Sequence, residues 1–324
     1  MLKKNTAALA AIAGVVAGFA AGPVVAQDFP TKPIRFLVPY AAGGNTDVIA
    51  RITAQRMSEL LGQPILVENR PGAGTMLATR ATLQAPADGY TLLVSVPTMA
   101  IAAAVSKSAD YKMSDFVPVS GICSNAFVIS VSRNVPATTL AELVAYAKAN
   151  PGKLNNGSVG IGSGSQLITE RFKNAAGINA VQVTYQGAAP VLKDLTAGTV
   201  DFFFDGVPTS VALHRENRIR VMAITTEVRH PSAPEIPTFK EQGFPMMSAS
   251  NWTAIFASAK TPEAIVQKLS REAYRAVNDP AIRERFVKMG LDPMEMTPPA
   301  FASYVAKDIA VWQEDARKSG VKLD

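Results

Sequence analysis

The hydrophobic positions of this chain switch between two periods. Ile34 to Val38 is a short apolar run broken only by Arg35. From Asp47 to Leu61, Val48, Ile49, Ile52, Met57, Leu60 and Leu61 recur at helical spacing. Gly62 supplies a C-cap and Pro64 prevents continuation. Ile65 to Val67 reads as a strand, Thr75 to Gln84 as a helix closed by Pro86, and Thr91 to Val96 as a third strand. Strand and helix in strict alternation predict a parallel sheet covered by helices.

The alternation resumes further on. Strands are predicted at Phe127 to Val131, near Ser158-Val159, and at Ala180 to Thr184, Val200 to Phe204 and Arg220 to Thr225. Between them fall helices at Thr139 to Ala149, Ser165 to Ala176, Ala188 to Ala197 and Val207 to Arg215. The tail reads as a strand at Thr253 to Phe256, then helices at Pro262 to Val277, Ala281 to Met289 and Pro298 to Lys318. No Gly/Ser linker separates the two units. The connections near 120–131 and 248–257 read as strands themselves. The expectation is an α/β protein of two lobes, hinged like a clamshell by two crossing strands. Residues 27–125 and 250–324 form lobe 1 and residues 126–249 form lobe 2.

Composition supports this division. At 324 residues the chain exceeds what one core usually serves. With 48% hydrophobic and 18% charged residues, intrinsic disorder is excluded as the main state. One cysteine excludes a disulfide-stapled scaffold. Two histidines beside that cysteine argue against a His/Cys metal centre, and neither metal nor cofactor is expected. Cys123 lies between apolar segments and reads as a buried, inert thiol.

The N-terminus reads as an export signal. Lys3 and Lys4 precede an apolar run from Ala7 to Ala21, and Val24-Val25-Ala26 places small residues before a cut ahead of Gln27. The run is shorter than the ~20 residues that span a bilayer. Residues 1–26 are therefore expected to be a cleaved signal peptide, and the protein periplasmic. The formal charge of +6 is spread over scattered basic residues. No dense basic run with interleaved aromatics occurs, so nucleic acid is not an expected partner. A weak long-range preference for anions is.

Four strand-to-helix turns could carry chemistry. In the first, Tyr40, Ala41, Gly43, Gly44, Asn45, Thr46 and Asp47 follow a strand and open a helix. Its glycines admit close approach, and the free N–H groups of the helix start favour an anion. The same residues also suit an ordinary capped βα turn. The second, Gly160 to Gln166, offers Gly162, Ser163, Gly164, Ser165 and Gln166, hydroxyl and N–H donors with no charge. It is neither a P-loop nor a nucleophile elbow. The third contributes Tyr185, Gly187 and Ala188, and the fourth Asp205, which could cap a helix or orient a ligand amine. Gly72-Ala73-Gly74 also precedes a helix, but Leu77 stands where a dinucleotide fingerprint needs a third glycine. All four turns lie at strand C-terminal ends, where open α/β sheets bind ligands. No arrangement of acid, base and nucleophile emerges, which favours binding over catalysis.

The runs KPIRFLVPYAAGGNTDVIAR, LGQPILVENRPGAG and APADGYTLLV resemble the Bug family, the extracytoplasmic receptors of tripartite tricarboxylate transporters. The likeness continues through NPGKLNNGSVGIGSGSQL, VTYQGAAPVLKDLTAGTVDFFFDGVPT and NWTAIFASAKTP, covering essentially the whole chain after residue 26. The resemblance implies a monomeric periplasmic binding protein, type II-like, closing as a flytrap on a small organic carboxylate: a di-, tri- or aromatic carboxylate. It implies that the turn at Tyr40 to Asp47 and the turn at Gly162 to Gln166 hold the carboxylate through hydroxyls, N–H groups and water. It further implies delivery to membrane permease subunits. Presentation to a membrane sensor kinase is an alternative, and an exported hydrolase is another. Some positions depart from the family pattern. Gln166 stands where a histidine is frequent, and Asn251 where a serine is frequent. The segment after the third strand offers Ser95, Thr98 and Met99 in place of a more polar run. Ser95, Thr98 and Asn251 complete the expected set of ligand-binding residues.

Overall fold

The computed structural model describes residues 29–319 apart from 161 and 248. The expected signal segment at 1–26 lies outside the described residues. The first unit builds β1 (Ile34–Val38), α1 (Asn45–Leu61), β2 (Ile65–Asn69), α2 (Met76–Gln84), β3 (Thr91–Ser95) and α3 (Thr98–Val105). β1 pairs in parallel with β2 and β3, as the alternation predicts. Helix α3 was not expected: after Thr98 it is apolar throughout, so it shows no amphipathic period.

β4 (Phe116–Ser132) is a single 17-residue strand that carries the chain from one unit to the other. The second unit follows: α4 (Leu140–Ala149), β5 (Asn155–Ser158), α5 (Gly164–Ala176), β6 (Val181–Thr184), α6 (Ala188–Ala197), β7 (Phe202–Gly206), α7 (Val207–Arg215) and β8 (Ile219–Ile224). The chain returns through β9 (Ser250–Ser258), then α8 (Glu263–Val277), α9 (Pro280–Lys288), a two-residue β10 (Asp292–Pro293) and α10 (Pro298–Ser319).

The main strand order is β2-β1-β3-β9-β4-β7-β5-β6, with β8 and β10 both also pairing β4. β4 changes partner along its length. Phe116 to Ala126 pairs with β9, whereas the stretch from Phe127 pairs with β7 and β8. The lobes therefore share one strand and separate between Ala126 and Phe127. The return crossing is fastened where Thr225 Oγ1 donates to Ala249 O at 2.6 Å.

Each lobe has its own core. Ile34, Phe36, Val38, Met57 and Leu269 gather in the first, and Ile129, Phe172, Phe202 and Phe204 in the second. The C-terminal helix, expected within lobe 1, touches both. Phe301 and Val305 pack beside Trp252 in the first lobe, and Trp312 and Ala316 enter the core of the second. Trp252 Nε1 donates to Asp308 on this helix at 2.6 Å. α10 is thus a third connection between the lobes. Cys123 is fully buried in β4, and burial pushes its thiol up, so it stays protonated and inert.

Candidate functional site: a closed cleft ringed by helix N-termini

The two lobes meet through the turns at the strand ends. Ala41 N donates across the cleft to Gln186 O at 2.9 Å. Asn45 Nδ2 donates to Asp205 Oδ1 at 2.9 Å, while Asn45 Oδ1 accepts from the Thr209 backbone N–H at 3.3 Å. A Cβ on Gly187 would sit 2.9 Å from Ala41 N, so the backbones approach as closely as glycine allows. His230 Nε2 lies 3.7 Å from Asp292 Oδ1, at another meeting of the lobes. The lobes are closed on one another.

Closure leaves a partly open cavity of about 60 Å³ between the lobes. That is room for a few waters or for a small polar head group. Its walls carry the starts of several helices. Gly44, Asn45 and Thr46 open α1, Thr98 opens α3, Ser163 to Ser165 open α5, Ala188 opens α6 and Gly206 caps α7. The first amides of a helix have no intrahelical acceptor, and the macrodipole places positive charge there. Among the described lining residues none is Lys, Arg or His, and Asp205 is the one carboxylate. The arrangement can stabilise an anion by dipoles alone.

Asp205 offsets part of that field. Its carboxylate accepts from Thr209 Oγ1 at 2.6 Å, Ser210 Oγ at 2.9 Å and Asn45 Nδ2. Burial pushes it up to about 6, and these donors only partly counter the loss of water. It therefore occupies the start of α7 and braces the two lobes at once. Asp205 stands one residue before Gly206, the N-cap of α7, so it is not itself the capping residue, and its carboxylate lines the cavity wall. Tyr40 closes another side: its hydroxyl donates to Thr98 Oγ1 at 3.0 Å, and burial pushes it up to about 12, so it remains a neutral donor and acceptor.

Of the residues singled out from sequence, Tyr40, Gly44, Asn45, Thr46, Thr98, Ser163, Gly164, Ser165, Ala188, Asp205 and Asn251 line the cavity. Others stand behind it. Gly43 N donates to Asp47 Oδ2 at 2.9 Å, and Asp47 turns inward to Arg51 and Asn69. Burial alone would raise the Asp47 carboxyl, but Arg51, the Gly43 amide and Asn69 hold it below the usual range. Gly162 N donates to Gln166 Oε1 at 2.7 Å, so that amide shapes the turn instead of facing the cavity. Ala41 and Gly187 form the inter-lobe contact. Tyr185 donates to Asp194 at 2.7 Å and lines an adjoining cavity. Ser95 is fully buried on β3, has no hydrogen-bond partner and does not reach the cavity. Met99 is core.

Phe204 also lines the cavity, and sequence reasoning missed Val96, Asn125, Phe127, Val159, Phe203, Gly206 and Thr253, which complete the wall. Asn125 had a readable signal: it is the one amide side chain in a crossing strand whose other polar residues are serines. The rest needed the partner switch of β4 to bring them in.

The fold and the site define a two-lobed, flytrap-like periplasmic solute-binding protein. The chain belongs to a known family of these: residues 49–320 match the tripartite tricarboxylate transporter family receptors. It is 35% identical over 325 residues to protein BugT of Bordetella pertussis, covering 98% of this chain and 99% of that one. Among solved structures, the periplasmic binding protein BugD superposes with a TM-score of 0.87 at 29% identity, over 91% of this chain and 99% of that one. An R. palustris protein solved with adipate gives the same TM-score at 32% identity, again over 91% of this chain and 99% of that one. The family is one of receptors, not of enzymes.

Proposed function

We propose that the protein captures a small organic carboxylate between its lobes and hands it to the membrane subunits of a tripartite tricarboxylate-type transporter. The observation that carries this reading is the inter-lobe cavity lined by the first residues of α1, α3, α5 and α6, with no cationic side chain among them. An anion bridging these helix starts contacts both lobes only when they are closed, so binding shifts the lobes toward the closed state. The adipate bound by the related R. palustris structure supports the same chemistry for this chain. Ser163 and Ser165 are hydrogen-bonded to each other at 3.0 Å, and no histidine stands beside them in the wall, which favours holding over hydrolysis. The ligand-binding set proposed is the lining group around Tyr40, Asn45, Thr46, Thr98, Ser163 and Ser165.

The test is a thermal-shift screen of ligand-stripped protein against organic acids and their amides. A ligand that binds only the native state raises Tm by mass action. An acid that raises Tm while its amide does not supports the reading. Equal shifts for acid and amide would refute the anion site.

A further inference from the structure

A carboxylate is an unexpected wall for an anion site, and Asp205 is one. It lines the inter-lobe cavity of about 60 Å³, so a carboxylate bound there shares that space with it. Its side-chain partners are all uncharged: Asn45 Nδ2 donates to Oδ1 at 2.9 Å, and Thr209 Oγ1 and Ser210 Oγ donate to Oδ2 at 2.6 and 2.9 Å. In the empty cleft its charge offsets the positive helix starts around it. A second anion meets like charge. At about 5 Å and an effective dielectric of about 20, a unit negative charge strengthens proton binding at least tenfold. Burial already pushes this carboxyl up to about 6 before any anion enters.

The Thr209 hydroxyl gives such a proton a place. It has one hydrogen and two acceptors in reach, Asp205 Oδ2 at 2.6 Å and Asn45 Oδ1 at 3.2 Å. With Asp205 ionised, the charged oxygen takes that hydrogen. With Asp205 neutral, its own O–H donates to Thr209 Oγ1, and the Thr209 hydrogen turns to Asn45 Oδ1. Asn45 opens α1 of the first lobe, and Thr209 lies in α7 of the second. One proton from solvent thus adds a hydrogen bond across the cleft without moving a heavy atom.

The charged groups on the elements around Asp205 have other partners or lie in solvent. On α1, Asp47 pairs with Arg51 and Arg56 with Glu59. On α5, Glu170 pairs with Lys173 and Arg171 donates to Met246 O. On α6, Asp194 accepts from Tyr185 and Lys193 is exposed. On α7, Arg215 pairs with Glu235 and His214 Nδ1 accepts from Val221 N. Burial keeps Cys123 of β4 and Tyr40 of the wall protonated.

We propose that the cavity holds one negative charge at a time, so that a carboxylate is captured together with a proton that settles on Asp205. The acid is that of the function proposed above, on which this rests. Acid and proton then strengthen each other's binding equally, and loss of either loosens the closed lobes.

The experiment is isothermal calorimetry on ligand-stripped full-chain protein with succinate, adipate and benzoate. Each is titrated at about pH 7.5 in HEPES and in Tris, whose ionisation heats differ, so the difference in measured enthalpy counts the protons taken up. Expected is uptake of between about half a proton and one proton per acid bound. Affinity should fall at least tenfold between about pH 6.5 and about pH 8.5, a range in which these acids are ionised. In Asp205→Asn, which cannot take the proton, the uptake and the pH slope should both vanish, whatever its affinity. Equal heats in the two buffers for the wild type would overturn the proton coupling and leave the receptor reading standing. So would a pH slope that survives in Asp205→Asn. Where that variant fails to fold or to bind, the wild-type comparison decides alone. Failure of all three acids to bind would overturn both readings.

Discussion

Two turns face each other across the cleft and are built alike. In the first lobe Gly43, at φ +85, donates its N–H to the side chain four residues on, Asp47. In the second lobe Gly162, at φ +74, donates to the side chain four residues on, Gln166. Each bond folds a left-handed glycine over the start of a helix whose first residues line the cavity. The acceptors differ in charge. Asp47 is compensated by Arg51 at 3.0 Å and by Asn69. Gln166 has no cation, and its helix start faces the cavity through Ser163 to Ser165. A carboxylate is tolerated behind the wall where an arginine neutralises it. A neutral amide serves where an uncompensated charge would oppose the bound anion.

The largest test blocks the approach of the first turn to the Gly187 turn of the second lobe, the contact that closes the cleft around both. Gly187→Leu would press a Cβ against the Ala41 backbone. Ligand binding should fall by more than about 100-fold, beyond about 2.7 kcal/mol, with the far-ultraviolet spectrum retained. Scattering should show open lobes in the presence of ligand. Wild-type affinity in this variant would mean that the turns need not meet.

Next comes Asp205, the carboxylate on the second lobe that the first lobe must brace. Its folded value of about 6 exceeds the ordinary 3.8. The folded state therefore holds this proton more tightly than the unfolded chain. The advantage is fully present below about pH 4 and is lost as pH rises through about 6, an effect of order 3 kcal/mol. Asp205→Asn should flatten the fall in stability between pH 4 and 7, read by denaturant titration at each pH. An unchanged pH profile would remove Asp205 from the balance.

Gln166→Glu puts an uncompensated charge behind the second turn and should cost roughly 2 kcal/mol of ligand affinity, about 30-fold. Asp47→Asn keeps the acceptor and should cost less than about 1 kcal/mol, in stability and not in affinity. Calorimetry on both variants checks the contrast, and comparable affinity losses would erase the distinction drawn between the turns. Between these in size, Asn45→Ala removes the side-chain bonds to Asp205 and Thr209 and should lower stability by about 1–2 kcal/mol.

Much of the fold is legible in the chain. The apolar run of β1, the spacing of α1 and the Gly62 stop each encode local structure, and the observed elements follow them to within a few residues. α3 was not legible, because eight nearly uniform apolar residues carry no period. β4 was read as separate apolar pieces because Ser124 and Asn125 interrupt it just before the change of partner. The site was half legible. Glycine turns before helices mark where amides are free, but not which turns share a cavity. Ser95 looked available and is buried in the first lobe, whereas Phe127 and Thr253 looked like core and form wall.

The sequence by itself determined the alternation of strand and helix, the glycine turns and the uncharged character of their donors, because these depend on residues a few positions apart. The tertiary structure decided which helix starts converge, which carboxylate braces the cleft and where a second cavity opens. Those follow from pairings such as Asn45 with Asp205, 160 residues apart. No local pattern encodes such a contact. It exists only once β4 has joined both sheets and the lobes have closed.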